Sequence, residues 1–321
     1  MSVAFLFSPQ GSQAVGMGAE LAASSPAAAA VFEAADAALG WSASGLAWHG
    51  PAERLNDTRQ TQPCLVATSI ACLRALDEEL TARGERVAPA FVAGHSVGEY
   101  AALVAAGSLS VAEAVRLVAR RGELMADAGV EGGMVAVIGL DRDAVVAAVA
   151  SLDAGSDLVV ANDNAPGQVV ISGTPAALEA ATKPLRAAGA RRSIPLKVSG
   201  PFHSPLMVGI GAALATAFAT ANWRDADPPV VSNVTAEPVR DAAEIRRLLA
   251  RQVHSPVEWV RSVRGMAAKG VDTFVECGPG AALSGMVRRI LPGVRTLNVH
   301  DAASLAETVD ALDQIGTRVT A

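Results

Sequence analysis

Aromatic side chains are scarce, making up 4% of the 321 residues with a single tyrosine among them. The core must therefore be built mainly from alanine, valine and leucine, the palette of an α/β protein with valine-rich strands and alanine-rich helices. The same scarcity leaves no stacking platform for bases. Charge is not gathered into a long run of either sign, and the net charge is −6, so nucleic acid is not an expected partner. Cysteine is nearly absent: Cys64, Cys72 and Cys277 are odd in number, sit in apolar surroundings and lack metal-ligand spacing. They read as core thiols in a reducing compartment. No basic region precedes the short apolar run at residues 3–7, so a signal peptide is not expected. Residues 206–223 carry no charge for eighteen positions, but Met207, Ile210, Leu214 and Phe218 recur at helical spacing while Ala, Gly and Thr fill the other faces. A lipid-facing span would be apolar all round, so this segment is expected to be a core helix, and the protein to be soluble and cytoplasmic without membrane contact.

The most informative stretch that is present is Gly94-His95-Ser96-Val97-Gly98, directly after the apolar run Ala90-Phe91-Val92-Ala93. One serine between two glycines at a strand-to-helix junction is the layout of a nucleophile elbow. A helix beginning at Val97 would aim its unpaired N–H groups at an oxyanion formed on a Ser96 ester. The rival reading is a plain strand-to-helix turn with a capping serine.

Around this stretch the periodicity predicts strands at 3–8, 230–234, 273–277 and 295–299, and helices over 19–39, 64–80 and 111–128. The middle of the chain differs. Strand 134–140, helix 142–152, strands 158–162 and 168–172 joined across residues 164–167, a helix from Thr174-Pro175 to about 188, and strand 193–198 follow in the order βαββαβ. That order is a ferredoxin-like module inserted into a larger, discontinuous α/β domain. The expected division is 1–130 with 199–321, and 131–198, with the substrate groove between them.

A serine hydroxyl needs a base, and the chain has five histidines. His95 adjoins Ser96, so alternation sends its side chain elsewhere, into packing or a hydrogen bond. His203, in the rigid loop Ser199-Gly200-Pro201-Phe202-His203-Ser204-Pro205, is the leading candidate. Arg121 is the second signal. On the helix from Val111, residues Glu113, Arg116, Arg120, Glu123 and Asp127 form a charged stripe, whereas Arg121 falls on the apolar side with Val118 and Met125. A buried guanidinium needs an anion, either a protein carboxylate or a carboxylate of the substrate gripped by both prongs of the fork.

Taken together, Gln10-Gly11-Ser12-Gln13, Gly16-Met17-Gly18, Thr61-Gln62-Pro63, the serine motif through Glu99-Tyr100, Arg121-Gly122, residues 164–173, Phe202-His203, Gln252 with Pro256-Val257, and Val275 to Gly280 resemble the malonyl-CoA:acyl-carrier-protein transacylases, which include the acyltransferase domains of polyketide synthases. The resemblance covers nearly the whole chain. It implies an α/β-hydrolase-like large subdomain with a ferredoxin-like small one, and ping-pong transfer of malonyl from CoA to the phosphopantetheine of an acyl carrier protein without metal or bound cofactor. It makes Ser96 the nucleophile and His203 its base, with the Gln252 backbone carbonyl orienting the imidazole and the N–H groups of Gln10 and Val97 forming the oxyanion hole. Arg121 would hold the malonyl carboxylate, and Gln252, Phe202, Met125 and Asn162 would line the substrate site.

Phe202-His203 and the branched Val97 lean toward malonyl over methylmalonyl. Primary-metabolism members more often carry Ser-His, which keeps a free-standing polyketide-pathway enzyme open, using a substituted malonyl or carrier-bound acyl unit. A serine thioesterase and a non-catalytic docking protein are the remaining alternatives. The chain departs from the family at Ser8-Pro9, where Pro-Gly is usual. The carrier is expected to be acidic, so docking on a net-negative enzyme requires a local basic patch, with Arg191, Arg192, Lys197, Arg288 and Arg289 as candidates.

Overall fold

The computed structural model describes residues 2–315. Its strands are β1 (Val3–Phe7), β2 (Phe91–Gly94), β3 (Gly133–Ile138), β4 (Leu158–Ala165), β5 (Gln168–Gly173), β6 (Arg192–Pro195), β7 (Val230–Val231), β8 (Pro238–Val239), β9 (Thr273–Cys277) and β10 (Arg295–Val299). They form a six-stranded sheet in the order β10-β9-β1-β2-β7-β8 and a four-stranded sheet in the order β4-β5-β3-β6.

Alternate residues of β1 belong to two different cores: Val3, Phe5 and Phe7 pack into one, Ala4 and Leu6 into the other. A strand apolar on both faces belongs inside a sheet covered on both sides, and β1 pairs in parallel with β2 and β9. The four-stranded sheet is antiparallel throughout. Val137, Val169 and Ile171 pack against Val145, Ala148, Ala181 and Leu185 of the two crossing helices. The alternate residues Met134, Ala136 and Val170 instead join the core of the large sheet. This second face closes the groove over the first module, and Met134 and Val170 line the groove's wall.

Several expected elements change shape. The helix expected over 19–39 is two, Ala19–Ser24 and Pro26–Leu39, because Ser25 is extended, its hydroxyl caps Ala28 N at 3.0 Å, and Pro26 opens the second. The helix expected from 64 starts at Thr58 behind an Asp57 cap and runs through Pro63 to Ala82. Helices Ala43–His49 and Ala52–Leu55 were not anticipated. The expected core helix over 206–223 is corrected to Val208–Phe218, a surface helix that buries only Gly211, Leu214 and Phe218 while Val208 is 61% exposed. It packs against the helices Val111–Ala126 and Ala242–Gln252, and its other faces meet solvent. No described helix is long and apolar enough to cross a membrane. The strand expected over 230–234 ends at Val231, which frees Asn233 to turn toward the serine loop. All three cysteines are buried and unpaired.

Candidate active site

β2 ends at Gly94, and the helix Gly98–Ala105 begins four residues later. Both glycines are demanded by close approach: a Cβ on Gly94 would lie 1.9 Å from the Gly98 carbonyl carbon, and one on Gly98 would lie 2.2 Å from the Phe7 carbonyl oxygen. The left-handed backbone falls instead on Ser96, at φ 51°. For a non-glycine residue this geometry costs on the order of 1–3 kcal/mol, and it pushes the hydroxyl out of the strand direction into the groove. His203 is held in the same region of backbone space, at φ 58°.

The two side chains meet. Ser96 Oγ lies 2.8 Å from His203 Nε2. On the far side of the ring, Nδ1 faces two carbonyl oxygens, Gln252 O at 2.9 Å and Ser255 O at 3.2 Å. Two acceptors require the proton on Nδ1, which leaves Nε2 as the lone-pair nitrogen turned toward the serine. Burial, reinforced by the nearby Arg121 charge, pulls the imidazole down to about 3, against the two carbonyl bonds, so the ring stays neutral.

Arg121 is 1% exposed. Its Nη1 donates to Gln62 Oε1 at 2.6 Å, and its Nη2 donates to Ser96 Oγ and to Gln252 Oε1, both at 3.1 Å. Every partner is neutral, it forms no salt bridge among the described residues, and its Nε–H has no acceptor. Burial lowers the guanidinium's pKa, with Tyr100 and Glu99 acting against it. A desolvated cation with neutral partners, touching the reactive hydroxyl, is prepared for an anionic ligand.

The groove has a volume of about 430 Å³ and is lined by Gln10, Ser96, Met125, Asn162, Phe202 and His203, among others. Arg121, Gln252 and Val97 stand behind this wall and act through their contacts with Ser96 and His203 or through the backbone. The N–H groups of Gln10 and Val97 donate to no protein acceptor among the described residues. The Gln10 side chain is tied to Thr58 Oγ1 at 3.2 Å. His95 donates from Nε2 to Asn164 Oδ1 at 2.7 Å and packs edge-on against Trp259, the packing role expected for it. No group of three or more His, Cys, Asp or Glu side chains among the described residues is placed to hold a metal ion.

Sequence reasoning assigned no role to Gln62, Glu99, Asn164 or Asn233. Glu99 did leave a signal, being an acidic side chain at the head of the apolar helix after Ser96, whereas Gln62 left none, following the polar residues 58–61 ahead of the helix expected from 64. Gln62 and Glu99 are fully buried or nearly so, at 0% and 4% exposure. Burial pushes Glu99 up to about 7, with Gln252, the Asn233 N–H and Arg121 pulling the other way. Asn233 left no signal, because it falls within the run 230–234 that reads as a strand.

The acyl transferase domain profile matches residues 4–309. The malonyl CoA-acyl carrier protein transacylase of Bacillus subtilis is 42% identical over 315 residues, 97% of this chain and 98% of that protein. An acyl carrier protein S-malonyltransferase structure from Vibrio cholerae aligns with a TM-score of 0.90 at 40% identity, covering 96% of this chain and all of that one. A malonyl-transacylase solved in complex with its type II PKS acyl-carrier protein aligns equally well, with a TM-score of 0.90 at 39% identity over 97% of this chain and 100% of that one. With likeness of this extent laid over a serine, an imidazole and a buried guanidinium in mutual contact, the chain belongs to the acyl transferase domain family, among the malonyl CoA-acyl carrier protein transacylases.

Proposed function

We propose that the chain moves a malonyl group from CoA to the phosphopantetheine thiol of an acyl carrier protein through a malonyl ester on Ser96. The observation that carries this reading is that one hydroxyl oxygen lies within hydrogen-bond distance of both a neutral imidazole and a buried guanidinium, at 2.8 and 3.1 Å. His203 Nε2 accepts the Ser96 proton as Oγ attacks the thioester carbonyl. The tetrahedral oxyanion is met by the N–H groups of Gln10 and Val97, collapses, and expels the CoA thiolate, which takes the proton back from His203. The carrier thiol repeats the sequence in reverse. Arg121 gives up its bond to Ser96 and, still held by Gln252, takes the malonyl carboxylate, which fixes the acyl group for the incoming thiol. Each proton and charge in this scheme is handled by the chain and its two thioesters, so it calls for no metal or resident cofactor.

The two-sheet architecture supports an α/β-hydrolase-like subdomain, 1–130 with 199–321, and a ferredoxin-like subdomain, 131–198. The groove walls Met125, Phe202, Asn162, Met134 and Val170 are contributed by both. Phe202, 4% exposed and part of the groove wall, crowds the α-carbon and favours malonyl over substituted malonyl. Mass spectrometry after incubation with malonyl-CoA tests the reading: an adduct of malonyl mass on Ser96, absent from Ser96→Ala and discharged by holo-carrier, is expected. Steady release of free malonate without carrier would identify a hydrolase instead.

A further inference from the structure

The strained peptide of Ser96 is tied on both sides by residues from distant parts of the chain. Its N–H donates to Asn233 Oδ1 at 2.6 Å, and its carbonyl accepts from Gln252 Nε2 at 3.0 Å. These two tethers converge on a single carboxylate oxygen. Glu99 Oε2 accepts the Gln252 carboxamide at 2.7 Å and the Asn233 backbone N–H at 3.2 Å.

A primary amide has two orientations of nearly equal shape, and only its partners distinguish them. At Gln252 the partners are decisive. Glu99 Oε2, which already takes the Asn233 N–H, and the Ser96 carbonyl both accept, so Nε2 must face them, and Oε1 then falls toward Arg121 Nη2 at 3.1 Å. The reversed amide would set oxygen against carboxylate and N–H against guanidinium, and Arg121 would lose the contact that holds it beside Ser96 Oγ. The backbone carbonyl of this same Gln252 fixes the His203 tautomer.

We propose that Glu99 is the positioning residue of the site, its carboxylate oxygen fixing the Gln252 amide so that Arg121 is held where an acyl carboxylate must bind. Glu99 touches neither substrate nor reacting atoms. It sets selectivity for a carboxylated acyl group by deciding where the guanidinium points. This inference rests on the acyl-transfer reading above.

Two substitutions separate geometry from charge. Glu99→Asp keeps the charge but withdraws the oxygen by one methylene, out of reach of Gln252. Glu99→Gln removes the charge but keeps a carbonyl oxygen that the same two N–H donors orient. Rates of Ser96 acylation by malonyl-CoA and acetyl-CoA are measured for the parent and both variants, with thermal unfolding as a check on folding. The expected result is a malonyl-to-acetyl preference lowered about ten-fold or more in Glu99→Asp and kept within about three-fold of the parent in Glu99→Gln. The opposite pattern, preference kept in Asp and lost in Gln, would overturn the proposal in favour of simple charge compensation of Arg121. Lowered stability with an unchanged preference in Glu99→Asp would overturn it in favour of a purely structural role. A Glu99→Asp chain that does not fold leaves Glu99→Gln to decide: a folded Glu99→Gln that loses the preference refutes the proposal, and one that retains it upholds the acceptor role against the charge role. The parent assay keeps the two levels apart. Failure of the parent to form a malonyl ester refutes the acyl-transfer reading, whereas a normal parent with an unchanged Asp variant refutes only the role of Glu99.

Discussion

At Ser96 one oxygen serves two partners, giving its proton toward His203 Nε2 while accepting from Arg121 Nη2. The guanidinium therefore favours the alkoxide that develops as the proton leaves, and then the carboxylate of the bound acyl group. Replacing Arg121 by alanine removes both effects. The expected outcome is a loss of about 10³-fold or more in kcat/KM for malonyl-CoA, with a far smaller change for acetyl-CoA, read from an acyl-CoA panel. His203 sets the pH behaviour. Its imidazole lies near 3 instead of the ordinary 6.5, so the free enzyme's base is already deprotonated at pH 5, and acylation should show no acid limb centred near 6.5. A limb at that value in single-turnover rates would mean a solvated imidazole. The sign for stability follows from the same depression: between pH 6.5 and 3 the unfolded chain binds a proton at His203 that the folded chain refuses. The stability that neutral His203 contributes is thus complete above 6.5 and is lost as pH falls toward 3. Against His203→Asn, which does not titrate there, the parent should lose roughly 1 kcal/mol per pH unit between pH 6 and 4 in denaturant unfolding.

At the scale of elements, the serine loop depends on a helix seated hard against β1. The Gly98 α-carbon lies so close to the Phe7 carbonyl that an added methyl would stand 2.2 Å from the oxygen. Gly98→Ala should destabilise the fold by about 3 kcal/mol or more and displace Ser96 even where the chain still folds, checked by thermal unfolding and by Ser96 acylation in the folded fraction. The elements themselves were largely legible. Short, largely apolar runs marked β1, β9 and β10, and the capping box of Ser110 and Glu113 opened the helix carrying Arg121 where expected. Short pieces such as Ala43–His49 were not legible, because fewer than two turns leave too little periodicity to separate from a loop.

At the scale of the molecule, β4 of the small sheet is joined directly to the segment before the helix Trp259–Ala268. Val257 N donates to Ala161 O at 2.8 Å and Asp163 N to Val257 O at 3.1 Å, while Arg142 bridges to Glu258 at 3.2 Å. Arg289 reaches across to Gln168 Oε1 at 2.7 Å, so this residue, a docking candidate from the sequence, is already engaged within the chain. Arg288 likewise donates to Thr296. Arg191 and Arg192 stay exposed on the edge of the small sheet, beside Lys197 in the groove wall. Reversing Arg191 and Arg192 together should raise the KM for an acidic carrier about ten-fold at low salt, leave the KM for malonyl-CoA unchanged, and lose its effect as salt is added.

The sequence by itself determined the sheet-and-helix alternation, the serine between two glycines, and the anomaly of an arginine on an apolar helix face, since each is a local pattern of residue types. What only the tertiary structure decided is how that serine is held. Asn233 and Gln252 lie 137 and 156 residues beyond Ser96, and one of the decisive contacts is a main-chain carbonyl that any residue could supply. Hydrogen bonds between such distant groups are set by sheet register and by where each strand stops, and neither quantity is written in the identity of the residues that make the bonds.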